Sequence, residues 1–85
     1  MRKSIDDAVD DHPGDDDERP PVSWAVAVSD DCDACGVGDL RVVLTIEEQG
    51  RAGYGLVAHL APDTARRLRA ALAAGLREMG EDPGG

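Results

Sequence analysis

The chain has 85 residues, a formal net charge of −9, no Phe, and Trp24 and Tyr54 as its only aromatic residues. This length allows one domain at most, and the charge argues against nucleic acid or an anionic membrane as the partner of the whole chain. No apolar run approaches the roughly 20 residues of a membrane helix, and the first residues lack the apolar middle of a signal peptide. We therefore expect a small cytoplasmic domain with an aliphatic core.

The first 22 residues are predicted to be a disordered acidic tail. They carry eight acidic residues against three basic ones, and Ile5 and Val9 are their main apolar side chains. So little apolar surface does not offset the entropy lost on ordering. The sequence thus predicts a tail at 1–22, a folded domain at 23–80 and a flexible C-terminus at 81–85.

Three stretches of the domain show the alternation of apolar residues that is typical of β-strands. They are SWAVAVS at 23–29, LRVVLTIEE at 40–48 and YGLVAHL at 54–60. The glycine-bracketed turn EQGRAG joins the last two, so the third strand should return antiparallel to the second.

Residues 61–80 follow the strands with a helical pattern. Pro62 suits the first helical position, Gly80 suits the C-terminal end, and one apolar stripe runs along the helix. Ala61 is a poor N-cap, because its side chain cannot accept a hydrogen bond from the first turn. We therefore expect an α+β fold of order β-β-β-α: a three-stranded antiparallel sheet with one C-terminal helix packed on one face.

The other face of the predicted sheet is small and apolar rather than charged, which favours self-association over exposure to water. We expect a homodimer, formed either through this face or by pairing of an open sheet edge; the alternative is an ordinary monomer surface. The predicted interface residues are Ala25, Ala27, Val43, Val57 and His59.

Cys32 and Cys35 form the CDACG motif between the first two strands. The motif is similar to the CxxCG knuckles of rubredoxin-like and zinc-ribbon sites. This resemblance implies that the two thiols are ligands of a zinc ion. Zinc takes four ligands, so a complete site would need both histidines, His12 and His59, or one cysteine pair from each of two chains. A redox-responsive thiol pair and two cysteines that only occupy a turn are the alternatives.

The predicted helix carries four arginines outside its apolar stripe, which make a basic surface on an acidic protein. This surface either docks a protein partner or is a solvated helix face. The residues are Arg66, Arg67, Arg69 and Arg77. No catalytic set can be assembled from the sequence, and we expect no enzyme activity.

The run HLAPDTARRLRAALAAGLREMG, preceded by LRVVLTIEE and a glycine turn, resembles short uncharacterised actinobacterial proteins. In those proteins two or three strands lead into an LxPxxARRLxxAL helix. The resemblance implies the β-to-α order and an actinobacterial source, and it brings no functional residues. The sequence as a whole predicts a non-enzymatic protein-interaction module, with a zinc-binding or thiol-redox module as the alternative.

Overall fold

The computed structural model describes residues 1–15, 18–36, 38–49 and 55–84. These residues form four strands and one helix: β1 Arg2–Val9, β2 Val22–Ser29, β3 Arg41–Glu48, β4 Leu56–Leu60 and α1 Pro62–Glu78. The strands pair in chain order, and every pair is antiparallel. The expected α+β class, with an antiparallel sheet and a C-terminal helix, is confirmed.

The expected count of three strands is wrong, because β1 adds a fourth. The structure shows a strand in the segment that we expected to be a disordered tail. All eight residues of β1 are exposed, so burial of apolar side chains does not hold it in place. Its backbone pairs with β2 from Arg2 opposite Ser29 to Val9 opposite Ser23. The Met1 amino group, directly before β1, also pairs with the carboxylates of Asp30 and Asp31. An apolar pattern cannot reveal a strand that is held by backbone hydrogen bonds and ion pairs.

The two strands of the β3–β4 hairpin match the predicted second and third strands closely. Leu44 lies opposite Ala58, at the centre of the paired region. Gly55 precedes β4, and a Cβ at this position would lie 2.7 Å from the carbonyl oxygen of Ile46, so the approach requires glycine. The glycine turn at 50–53 and Tyr54, both singled out in the sequence, lie outside the described residues.

Cross-strand register separates the two faces of the sheet. Val28, Val42 and Leu60 form one row, and α1 lies over this face in contact with β3 and β4. Since side chains alternate along a strand, the next row points to the opposite face.

The row on the opposite face consists of Ala27, Val43 and His59. Ala27 is 6% exposed and Val43 is 4% exposed, and they are the buried hydrophobic residues of the described chain. The most protected point of the sheet therefore lies on the face away from the helix.

Helix α1 follows Ala61, which makes no side-chain cap, and Gly80 ends it with a positive φ of 80°. The amide of Glu81 donates to the carbonyl of Leu76 over 2.9 Å, which closes the last turn. None of the residues of α1 is buried, although the helix has the predicted apolar stripe. The helix thus lies on the expected face but covers it only in part.

Candidate metal centre

The connection between β2 and β3, residues 30–40, carries both cysteines. Its described part folds back on itself through backbone hydrogen bonds: Gly36 to Asp33 over 3.3 Å, Asp39 to Gly36 over 3.0 Å and Gly38 to Asp30 over 3.3 Å. Gly36 has a φ of 110°, which side chains with a Cβ rarely adopt. The turn that follows the cysteines therefore depends on glycine, as the motif predicts.

The loop reaches the face of the sheet that lies opposite α1. Cys35 Sγ is 3.4 Å from Nδ1 of His59, which lies 24 positions later in the chain. A guanidinium nitrogen of Arg41 donates to the carbonyl oxygen of Cys35 over 3.3 Å. His59 shares its row with the buried Val43, so the loop and β4 meet beside the best-packed point of the sheet.

Three ligand atoms converge at this point. The sulfurs of Cys32 and Cys35 and a ring nitrogen of His59 all lie within 4.8 Å of one another. Zinc bound at about 2.3 Å to sulfur and about 2.1 Å to nitrogen would separate two such atoms by about 3.6 Å in a tetrahedron. The 3.4 Å between Cys35 Sγ and His59 Nδ1 is close to that value. Both cysteines are half-buried and His59 is exposed, so the group is open to solvent on one side.

The two thiols differ in their acid–base character. The pKa of Cys32 is lowered, chiefly because the backbone amide of Cys35 donates a hydrogen bond to the Cys32 sulfur. The thiol of Cys35 and the backbone amide of Ala34 add to this effect. The pKa of Cys35 is raised, chiefly by the neighbouring Cys32 sulfur and then by partial burial. Amides that point at the first sulfur of a CxxC turn stabilise a thiolate, which is the form that binds metal.

Cys32, Cys35 and His59 are together called the metal group below. The remaining predicted interface residues lie on the same face of the sheet but do not belong to this group. Ala27 and Val43 are buried beneath this face, whereas Val57 is 58% exposed. Ala25 lines a shallow pocket of about 310 Å³ between β1 and β3. Only His59, of the five residues, is brought to the cysteines.

The four predicted docking arginines are all exposed on α1. Arg66 Nη1 pairs with Asp63 over 2.6 Å within the first turn. Arg66, Arg69 and Arg77 also line a groove between the helix and the sheet. These arginines are on the face opposite the metal group, so the two predicted sites are separate in the structure.

We compared the chain with family models, with curated proteins and with solved structures, and none of them matches it. The resemblance to short actinobacterial proteins thus stays a prediction. Within the described ranges, no helix combines the length and the apolar character that are needed to cross a lipid bilayer.

Proposed function

We propose that the chain is a small non-enzymatic module that binds zinc through Cys32, Cys35 and His59 and acts through association with proteins. The observation that carries the zinc assignment is the convergence of these three ligand atoms within 4.8 Å. Two thiolates and one imidazole form a soft set, which zinc prefers over magnesium or calcium. A zinc ion there would join the loop at 30–40 to β4 across the sheet.

A bound ion would also supply stability that the packing provides only sparingly. Ala27 and Val43 are the buried hydrophobic residues of the described chain, and a domain of this size has a marginal core. Small domains commonly obtain the missing stability from a structural metal. The three protein ligands leave a fourth position for water or for a residue of a bound partner.

A thiol-redox function is the second candidate, because the same two cysteines could close a disulfide. The lowered pKa of Cys32 favours it, since the thiolate is the form that attacks in thiol–disulfide exchange. Oxidation would remove two of the three zinc ligands, so the two functions exclude each other at any moment. Both need reduced cysteines at the start, and both cysteines are free here. A reducing compartment, the cytoplasm, fits this requirement.

Metal analysis of the purified full chain tests the zinc proposal. We expect one zinc per chain by mass spectrometry, and tetrahedral ligand-field bands when Co²⁺ replaces zinc. His59→Ala and Cys35→Ser should lower the zinc affinity by at least about 100-fold, whereas His59→Cys should restore most of it because it returns a soft ligand.

His12→Ala provides the matched control, because His12 is the other histidine of the chain and lies outside the ligand group. It should keep the wild-type affinity. Metal-free wild-type protein that takes up no zinc on titration would refute the proposal. A rapid Cys32–Cys35 disulfide under mild peroxide, in protein that binds no zinc, would favour the redox function instead.

A further inference from the structure

The surface between α1 and the sheet is an apolar groove of about 740 Å³. Its floor includes Val26, Val42 and Leu60 of the sheet, and its wall is the apolar stripe of α1, with Leu68 and Leu72. Leu72 is 64% exposed, and α1 has no buried residue. Apolar surface is therefore left open to water on both the helix and the sheet.

The total exposed surface of the chain is larger than that of a compact monomer of the same mass. The chain exposes 6602 Å² at a mass of 8.9 kDa. A compact monomer of that mass exposes about 4,800 Å², so the excess is about 1,800 Å². Its radius of gyration of 14.9 Å likewise exceeds the value of about 12 Å expected for 85 residues.

This excess belongs to the whole chain, including the fully exposed β1, and it is about twice the area that one side of a dimer interface needs. Stable protein interfaces bury about 800 Å² on each partner, and the groove contributes the apolar centre that such interfaces have. A short peptide would cover only part of the helix and the sheet, whereas a second copy brings its own uncovered stripe of the same kind. A two-fold contact would bury both stripes at once, because the same surface acts on both sides.

The distribution of charge also favours this surface as the meeting point of two acidic chains. Of the 18 acidic residues, 12 come before Leu40, whereas α1 has four arginines against Asp63 and Glu78. Two copies with a net charge of −9 each repel one another. The repulsion is weakest where the local charge is near zero, which is α1 with the residues after it: Glu81 and Asp82 bring the acidic residues of 62–84 to four, against four arginines.

We propose that the groove between α1 and the sheet is the interface of a homodimer, in which the Leu68–Leu72 side of each helix packs against the groove of the other copy. This inference extends the association part of the proposed function and uses the face opposite the metal group. It also moves the dimer contact away from the sheet face that the sequence suggested.

Sedimentation equilibrium of the full chain between about 1 and about 200 μM tests the interface, because the dimer population depends on concentration. We expect twice the chain mass for the wild type. Leu72→Asp should raise the dissociation constant by at least about 100-fold, since it places a charge in the apolar centre on both sides. Leu72 is exposed in the single chain, so the variant should keep its circular dichroism spectrum.

Val57→Asp is the matched control, because Val57 is 58% exposed on the opposite face of the sheet. It should remain a dimer. A wild type that is monomeric over the whole range would overturn the proposal, and so would a Leu72→Asp variant that stays dimeric. Binding of an oligoglutamate peptide by a monomeric wild type, lost in Leu72→Asp, would assign the groove to an acidic partner instead.

The same samples are analysed for zinc, which keeps the two proposals apart. Cys35→Ser should lose zinc and remain a dimer. If Cys35→Ser became monomeric while Leu72→Asp stayed dimeric, the metal group and not the groove would hold the copies together. If the groove were not the dimer interface, the zinc content of the wild type would be unchanged. The dimer proposal and the zinc proposal can therefore fail independently of each other.

Discussion

Cys32 and Cys35 lie three positions apart but hold their protons differently. The amides of Cys35 and Ala34 lower the pKa of Cys32, and the Cys32 sulfur in turn raises the pKa of Cys35. Once Cys32 is a thiolate, its negative charge disfavours the loss of the proton from the neighbouring Cys35 thiol. A divalent cation removes this conflict, because it neutralises both sulfurs together.

Zinc affinity should therefore depend steeply on pH. Zinc binds the thiolate forms, so protons compete with it, and affinity falls as the pH falls through the thiol pKa values. Because the pKa of Cys35 is raised and that of Cys32 is lowered, we expect the binding constant to fall by at least about one log unit per pH unit between about pH 8 and about pH 6, and by about two where both thiols are protonated. Competition with a chromophoric chelator of known pH dependence measures this slope. An affinity that does not change over this range would contradict binding through both cysteines.

The sequence predicts Cys32 and Cys35 as candidate zinc ligands, and it indicates His59 only together with His12, as one of two ways to complete a site. CDACG indicates a zinc knuckle by its spacing and its glycine, and Gly36 has the positive φ that this turn requires. His59 is correctly predicted on the face away from the helix, and it lies with the two cysteines, whereas His12 is not part of their group. Its role depends on how the loop at 30–40 folds over that face, and no periodic pattern in the sequence encodes this fold. The shared row of Ala27, Val43 and His59 is the signal that could have indicated it.

Among the elements, the clearly alternating strands and the striped helix are predicted well, and β1 is not. The residues of β3 alternate because one face meets the helix and the other meets the loop. The residues of β1 include Asp6 and Asp7 and bury nothing. An alternating apolar pattern arises where one face of a strand is buried. It therefore predicts strands that pack against another element and misses β1, which pairs with β2 but has no buried side chain.

Because β1 pairs on one side only and all its residues are exposed, we expect it to open locally before the rest of the sheet. Its backbone amides should exchange with deuterium at least about tenfold faster than those of β3, which is paired on both sides. Hydrogen exchange followed by NMR measures both strands in one sample. Equal protection of β1 and β3 would show that the sheet opens only as a unit and would contradict this expectation.

At the scale of the whole molecule, the net charge of −9 opposes compaction of the chain. Salt screens this repulsion, so the melting temperature should rise by several degrees between about 10 mM and about 300 mM NaCl. Asp6→Asn combined with Asp7→Asn removes two neighbouring exposed charges, and it should raise the low-salt melting temperature and reduce its salt dependence. Calorimetry of both proteins at the two salt concentrations measures the effect. A melting temperature that falls with salt would indicate that attractive ion pairs dominate.

The two edges of the sheet are unequal, and this limits how far copies of the chain can add to one another. β1 ends the sheet on one side with adjacent aspartates and a shift of register between Ser4 and Asp6, whereas β4 ends it on the other with exposed Leu56 and Val57. Charges and irregular pairing at an edge block the addition of further strands. A copy that joined at β4 would present its own β1 outward, where growth stops. We therefore expect the charged, irregularly paired strand β1 to oppose fibrous growth of the protein.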